Sequence, residues 1–103
     1  MIKDEIVAKL VALVAEDIVA RPVTSRDGIW RFDNVIRDGL ADSCSVGLLT
    51  RDDYAQMAKI ARASDGGWVH WAPAMIVASF METKAAFMTP GFLEARRARL
   101  YGN

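Results

Sequence analysis

Apolar residues recur at steps of three and four along the first twenty positions, which is the spacing of one face of an α-helix. The pattern predicts a first helix over Lys3 to Ala20. Arg21-Pro22 ends it, because proline lacks a backbone N–H and restricts the residue before it. The apolar arc is broad, so we expect this helix to be central or covered on two sides. Its apolar members are Ile6, Val7, Leu10, Val11, Leu13, Val14 and Ile18.

The next segment combines turn formers with a second apolar stripe. Val23 to Gly28 ends in Asp-Gly, and we interpret it as a loop, with a short hairpin near Val23-Phe32 as the alternative. A second helix is predicted from about Ile29 to Ala41, weakened by Gly39 near its end. Spacing alone leaves open whether Ile29 to Phe32 forms helix or strand.

A third helix is predicted over Arg51 to Ala63, after a connector of small residues. Thr50 is placed to act as its N-cap, and Asp53 three residues later imitates a capping box. The face expected to enter the core consists of Tyr54, Met57, Ala58 and Ala61, with Ile60 at the edge.

Two more helices are predicted in the last third of the chain. Pro73 suits the first position of a fourth helix that continues to Met88, with Ile76, Phe80 and Phe87 on one stripe. Thr89-Pro90 is interpreted as the N-cap and first-turn proline of a short fifth helix that runs through Leu100. The fold class expected from the whole pattern is all-α, a compact bundle of about five helices.

Length and charge limit the organisation and the partners of the chain. The 103 residues suit a single helical domain over 1–103. Thirteen basic residues balance thirteen acidic ones, which argues against long-range electrostatic capture of nucleic acid or of an anionic membrane. The first half is nevertheless acidic and the second half basic, so the chain can present a charged face to a partner.

The single cysteine, Cys44, cannot form an internal disulfide, so a cytoplasmic location is expected. The first residues lack the layout of a secretory signal, and no apolar run reaches the length of a membrane span. We therefore predict no membrane association.

Few residues have the chemistry that catalysis or metal binding needs. Cys44 and the only histidine, His70, could form a nucleophile and base pair, but a small buried thiol in a helix connection is commoner. His70 is interpreted as a backbone-bonded histidine near a helix start, and zinc would need about four ligands. We therefore predict a protein that is not an enzyme, with no catalytic residue, cofactor or metal site.

Bulky apolar residues are concentrated after residue 67, and a domain of this length has limited interior to hide them. Each one alone is more readily explained as core, but aromatic and methionine side chains are also enriched at the centres of protein interfaces. We expect part of the group to lie at an interface with a protein partner or a second copy of the chain. The group comprises Trp68, Trp71, Met75, Phe80, Met81, Phe87, Met88 and Phe92.

Charged clusters add two further candidates for contact. Arg96, Arg97 and Arg99 could touch phosphates or an acidic protein surface, although basic residues also stabilise a helix C-terminus. The aspartates of the first half could form an acidic patch that engages a basic groove. The residues expected to bind a partner are Trp68, Trp71, Met75, Phe92, Arg96, Arg97 and Arg99.

A helix-turn-helix motif is the main alternative to a protein-binding surface. The predicted second and third helices are separated by roughly eight to ten residues, whereas that motif uses a turn of about three or four. The third helix offers Arg51, Gln56, Lys59 and Arg62 as possible base readers. Nucleic acid binding is therefore disfavoured, and a small helical DNA-binding transcriptional regulator is kept as the alternative function.

The stretch from Asp33 to Tyr54, above all Gly39 to Leu49 with its two glycines framing small residues, resembles segments of small uncharacterised helical domains in phage and mobile-element proteins. The resemblance implies an accessory protein, of which the anti-CRISPR inhibitors are one class by analogy. It supplies no catalytic residues. The function we predict is a non-enzymatic protein-protein interaction domain that inhibits a host defence complex by steric occupancy.

Overall fold

The computed structural model describes residues 2–28, 30–64 and 72–101, except for the side chain of Leu93. Within these ranges the chain forms five α-helices, one short 3-10 helix over Val46–Leu48, and no β-strand. This confirms the all-α class and the bundle of five helices. The α-helices are α1 (Lys3–Ala20), α2 (Asp33–Ser43), α3 (Arg51–Ala63), α4 (Pro73–Phe87) and α5 (Phe92–Tyr101).

α1 is the centre of the described bundle and packs against α2, α3 and α4. Its side chains Val7, Leu10 and Val14 are fully buried, and each such burial contributes about 1.5–3 kcal/mol. This position explains the broad apolar arc of α1. Three neighbouring helices cover a larger part of the α1 surface than a single narrow apolar stripe would occupy. The rest of the core comprises Ile6, Phe32, Ile36, Leu40, Leu49, Tyr54, Met57, Ala58, Ala61, Val77, Ala78, Phe80 and Met81.

Gly39 allows α2 to approach α1 closely. A Cβ atom at this position would lie 2.6 Å from Leu10 Cδ2 and 2.8 Å from Leu13 Cδ1, whereas apolar carbons pack best at about 3.5–4.0 Å. Glycine weakens a helix by about 1 kcal/mol relative to alanine. The contact with α1 is the physical reason why the absence of a side chain suits this position.

The N-terminus of α3 is capped as predicted. Asp53 N donates to Thr50 Oγ1 at 3.1 Å, and Thr50 N donates to Asp53 Oδ2 at 2.9 Å, which completes a capping box. The hydrogen bond from Thr50, followed by the interaction with Lys3, lowers the pKa of Asp53. Lys3 Nζ lies 3.2 Å from Asp53 Oδ1, so the cap also connects α3 to the start of α1.

A buried arginine connects the loop after α1 to the end of that helix. The Arg31 side chain is only 3% exposed, and its guanidinium lies 2.9 Å from Asp27 Oδ2 and 3.5 Å from Asp17 Oδ2. It also donates to the carbonyl oxygen of Arg21, and it lies 4.7 Å above the centre of the Phe32 ring. These contacts fold the loop back onto the last turn of α1.

The second helix begins later than the sequence predicted, at Asp33 instead of about Ile29, and it extends to Ser43. Residues 30–32 form turns instead, with Asp33 N donating to Trp30 O at 3.1 Å. Hydrogen bonds between residues three apart preserve much of the apolar spacing of an α-helix. Periodicity therefore could not distinguish these turns from a first turn of the helix. The hairpin alternative is not seen, since 23–28 and 30–32 contain no strand, and Ile29 itself lies outside the described residues.

The start of the fifth helix was also predicted wrongly. α5 begins at Phe92, and the Thr89 hydroxyl donates to Ala85 O at 3.0 Å, at the end of α4, instead of capping α5. Gly91 adopts φ +80 between the two helices, a left-handed conformation that glycine tolerates without a Cβ clash. Because this glycine completes the turn, Pro90 precedes the helix and is not part of its first turn.

Candidate functional site

An open groove of about 230 Å³ lies between the start of α2 and one face of α4. We call it the α2–α4 groove. Its α4 side is a single helical face, since the lining positions recur at three- and four-residue steps. The lining residues are Trp30, Phe32, Asp33, Ile36, Arg37, Met75, Ile76, Ser79, Phe80, Thr83, Lys84 and Phe87.

The groove has a buried apolar floor and exposed aromatic edges. Phe32, Ile36 and Phe80 are buried against the core and form the floor. Trp30 is 64% exposed and Phe87 is 46% exposed, although each would contribute strongly to stability if it were covered. Large apolar side chains beside a concave surface are typical of sites that another molecule covers.

Polar side chains on the groove walls are few, and two of them are cationic. Arg37 Nη2 lies 3.8 Å from Asp33 Oδ2, one helical turn away, so Asp33 has a cation beside it. Lys84 Nζ lies 5.7 Å from the centre of the Phe80 ring, which places an ammonium group over the groove floor. The Thr83 hydroxyl donates to Ser79 O at 2.8 Å. The lining therefore carries one more positive than negative charge.

α5 continues this surface beyond the end of α4. Phe92 packs edge to face on Phe87, with ring centres 5.1 Å apart and an interplanar angle of 69°, a favourable geometry for aromatic pairs. Arg96, Arg97 and Arg99 are exposed on the same short helix. The phenylalanine pair thus joins the groove to the basic helix.

The structure brings together only part of the predicted partner-binding set. Met75 lines the groove and Phe92 adjoins it, whereas Trp68 and Trp71 lie outside the described residues. The apolar surplus is smaller than the sequence suggested, because Phe80 and Met81 are buried in the core. These two residues belong to the core, where aromatic and methionine residues at helical spacing are usually found.

Trp30 is the groove residue that sequence reasoning missed. Its position falls within the predicted second helix, which gave no reason to expect exposure. The signal lies in the residues before it, because Asp27-Gly28 is typical of a turn and residues 30–32 do form turns. A large aromatic residue in such a turn is free to project at the edge of a neighbouring surface.

The candidate nucleophile Cys44 lies just after α2 and is half-buried. Its Sγ donates to Leu40 O at 3.5 Å. Burial, followed by the proximity of Cys44, raises the pKa of Tyr54. His70 lies outside the described residues, so the structure does not test the disfavoured pairing of Cys44 with His70. In the described part of the chain, no group of three or more His, Cys, Asp or Glu side chains is placed to hold a metal ion.

Two of the four possible base readers on α3, Gln56 and Arg62, have contacts within the protein. Arg62 forms a two-pronged pair with Glu82 on α4, and the pairing with Glu82 raises the pKa of Arg62. Gln56 Oε1 accepts a hydrogen bond from Lys3 Nζ at 3.0 Å. The connection between α2 and α3 contains a 3-10 helix and is longer than the turn of a helix-turn-helix motif.

Comparison with known proteins adds no relative: no protein-family model, curated protein or solved structure matches this chain. Over the ranges that the structure describes, none of the helices combines the length and the apolar character that crossing a membrane requires.

Proposed function

We propose that this protein is a non-enzymatic interaction domain that binds a protein partner at the α2–α4 groove. The observation that carries the proposal is the exposure of Trp30 and Phe87 at the edges of a concave apolar surface. Aromatic anchors that are covered on binding account for much of the affinity of protein interfaces. The function then consists of occupancy of a partner surface, with no chemical step.

The particular form that we propose is an accessory protein of a phage or mobile element that occupies a host defence complex. Support for this form comes from the sequence resemblance over Asp33 to Tyr54 and from a surface suited to stoichiometric binding. The cytoplasm, the expected location of such a target, agrees with the single cysteine.

Substitutions in the groove test this function. Ser79 is exposed on the groove wall, so Ser79→Trp adds a large side chain to the binding surface without a change in the core. Ala12→Trp adds the same group on the exposed side of α1 and serves as the matched control. We expect wild type and Ala12→Trp to capture the same protein from bacterial lysate and Ser79→Trp to lose it.

The proposal is wrong if the captured protein is retained equally by all three chains, because the groove would then make no contact. Circular dichroism of each variant establishes that the fold is intact before capture is compared. A crystal structure of the captured complex identifies the covered surface directly.

DNA binding by a small helical regulator remains the alternative, and the exposed arginines of α5 are the observation that favours it. Contacts to phosphates release counterions, so affinity for random duplex would fall steeply with added salt. Arg97→Glu would then weaken binding across all sequences. No measurable affinity for duplex at low salt eliminates this alternative.

A further inference from the structure

We propose that the occupant of the α2–α4 groove is an acidic amphipathic helix of a partner protein. This inference rests on the proposed function and adds the chemistry of the partner. Three properties of the described surface carry it: the size of the groove, its helical lining and the sign of its charge.

The volume of the groove favours anchoring side chains over a whole small molecule. Sites for drug-sized ligands span about 300–1,000 Å³, and this groove of about 230 Å³ is smaller and open. Its α4 wall runs from Met75 to Phe87, a length of about 18 Å at 1.5 Å per residue. An apolar groove of that length matches about three turns of a docked helix, whose apolar side chains at three- and four-residue steps fill it.

The charge around the groove selects an acidic partner. Lys84 lies over the floor, and Arg37 projects from α2 with 56% of its side chain exposed. On α5, Arg96 and Arg99 follow Phe92 by four and seven residues and so share its face, which meets Phe87. Opposite charges arranged in this way steer association and disfavour basic partners.

The acidic groups of neighbouring elements do not cancel this charge. Glu94 follows Phe92 by two residues, which places it on the opposite side of α5. Glu82 pairs with Arg62 of α3. Asp33 and Arg37 offset each other in the 3.8 Å pair, so the excess positive charge comes from Lys84 and from the arginines of α5. The α5 helix of a second copy is a poorer occupant, because it is itself basic and would meet like charge.

Selection from a random peptide library tests the inference. Peptides long enough for about three helical turns are displayed, selected on the wild-type chain, and counter-selected on Ser79→Trp, with Thr83→Trp as a second blocked variant. We expect the surviving peptides to be rich in Asp and Glu and to carry large apolar residues three or four positions apart. Circular dichroism identifies which blocked variants are folded and suitable for the comparison.

Affinity of one selected peptide, measured by fluorescence anisotropy, then tests the role of charge. Lys84→Glu is expected to weaken binding about tenfold, with a smaller effect of added salt than in wild type. Lys59→Glu makes the same charge change at an exposed position of α3 and should leave binding unchanged.

The possible failures are distinguishable. Peptides that depend on the groove but are neutral or basic overturn the acidic partner and leave the proposed function standing, as does equal affinity for Lys84→Glu and wild type. A dimer that sedimentation detects in wild type and not in Ser79→Trp makes a second copy the occupant and also overturns the inference. If no peptide distinguishes wild type from the folded blocked variants, both the inference and the proposed function fail.

Discussion

Substitution of Gly39 by alanine tests the close approach of α1 and α2. The added Cβ would lie 2.6 Å from Leu10 Cδ2, about 1 Å inside a favourable carbon contact. Relief of this overlap within a packed core costs about 1–3 kcal/mol, and the gain in helix propensity returns about 1 kcal/mol. We expect Gly39→Ala to lower the free energy of unfolding by about 1 kcal/mol.

A double-mutant cycle with Leu10→Val separates these two effects. Valine ends one carbon earlier than leucine, so the methyl group nearest to residue 39 is removed at a cost of about 1 kcal/mol. In that background Gly39→Ala should be stabilising, because its helix propensity remains while the main overlap is gone. The other close neighbour, Leu13, is only half-buried, so its side chain can shift at a lower cost than the buried Leu10 side chain.

Urea unfolding followed by circular dichroism measures all four chains of the cycle. The coupling energy should approach about 2 kcal/mol, well beyond the 0.3–0.5 kcal/mol or so within which independent sites add. Gly47→Ala serves as the control, because nothing lies within 4 Å of a Cβ at that position. An effect of Gly39→Ala that is equal in both backgrounds would refute the steric argument.

Three further predictions concern the cap, the buried arginine and acid stability. Thr50→Ala removes the capping box of α3 and should cost about 1 kcal/mol in urea unfolding, whereas an unchanged midpoint contradicts the role of the cap. Arg31→Met retains the apolar stem but leaves two carboxylates without their cation, so we expect the free energy of unfolding to fall by about 2 kcal/mol. Arg26→Met, at an exposed position, is the control and should leave it nearly unchanged. The pKa values of Asp27 and Asp53 are lowered by backbone hydrogen bonds from Thr24 and Thr50 and by Arg31 and Lys3. Their contribution to stability is therefore complete above about pH 4 and lost as pH falls through the lowered values. As the pH is lowered, the thermal unfolding temperature should therefore fall less for Asp53→Asn than for wild type.

Where helices lie was largely predictable, because each signal was local. The Arg21-Pro22 stop and the Thr50 cap depend on residues within one helical turn of the boundary, and both helices they border have the predicted ends. The boundary at Asp33 was missed because turns between residues three apart keep the apolar spacing that marks a helix. The boundary at Phe92 was missed because the Thr89 hydroxyl bonds to the end of α4 and Gly91 completes a turn before α5.

The candidate site was much less predictable. Met75 and Phe92 were expected at a contact surface and do lie in or beside the groove. Trp30 was not expected there, since it is more than forty residues away from Met75 in the sequence and joins it only through the packing of α1 with its neighbours. Phe80 and Met81 are of residue types that are common at interfaces, but they lie in the core. Residue type alone does not say which side of a helix faces its neighbours.

The amino-acid order by itself determined the class of fold, the central position of the first helix and the limits of the first and third helices, because periodicity, capping and proline act over a few residues. Only the tertiary structure shows which apolar side chains remain exposed and why glycine suits position 39. Both depend on how closely helices that are distant in the sequence pack against one another.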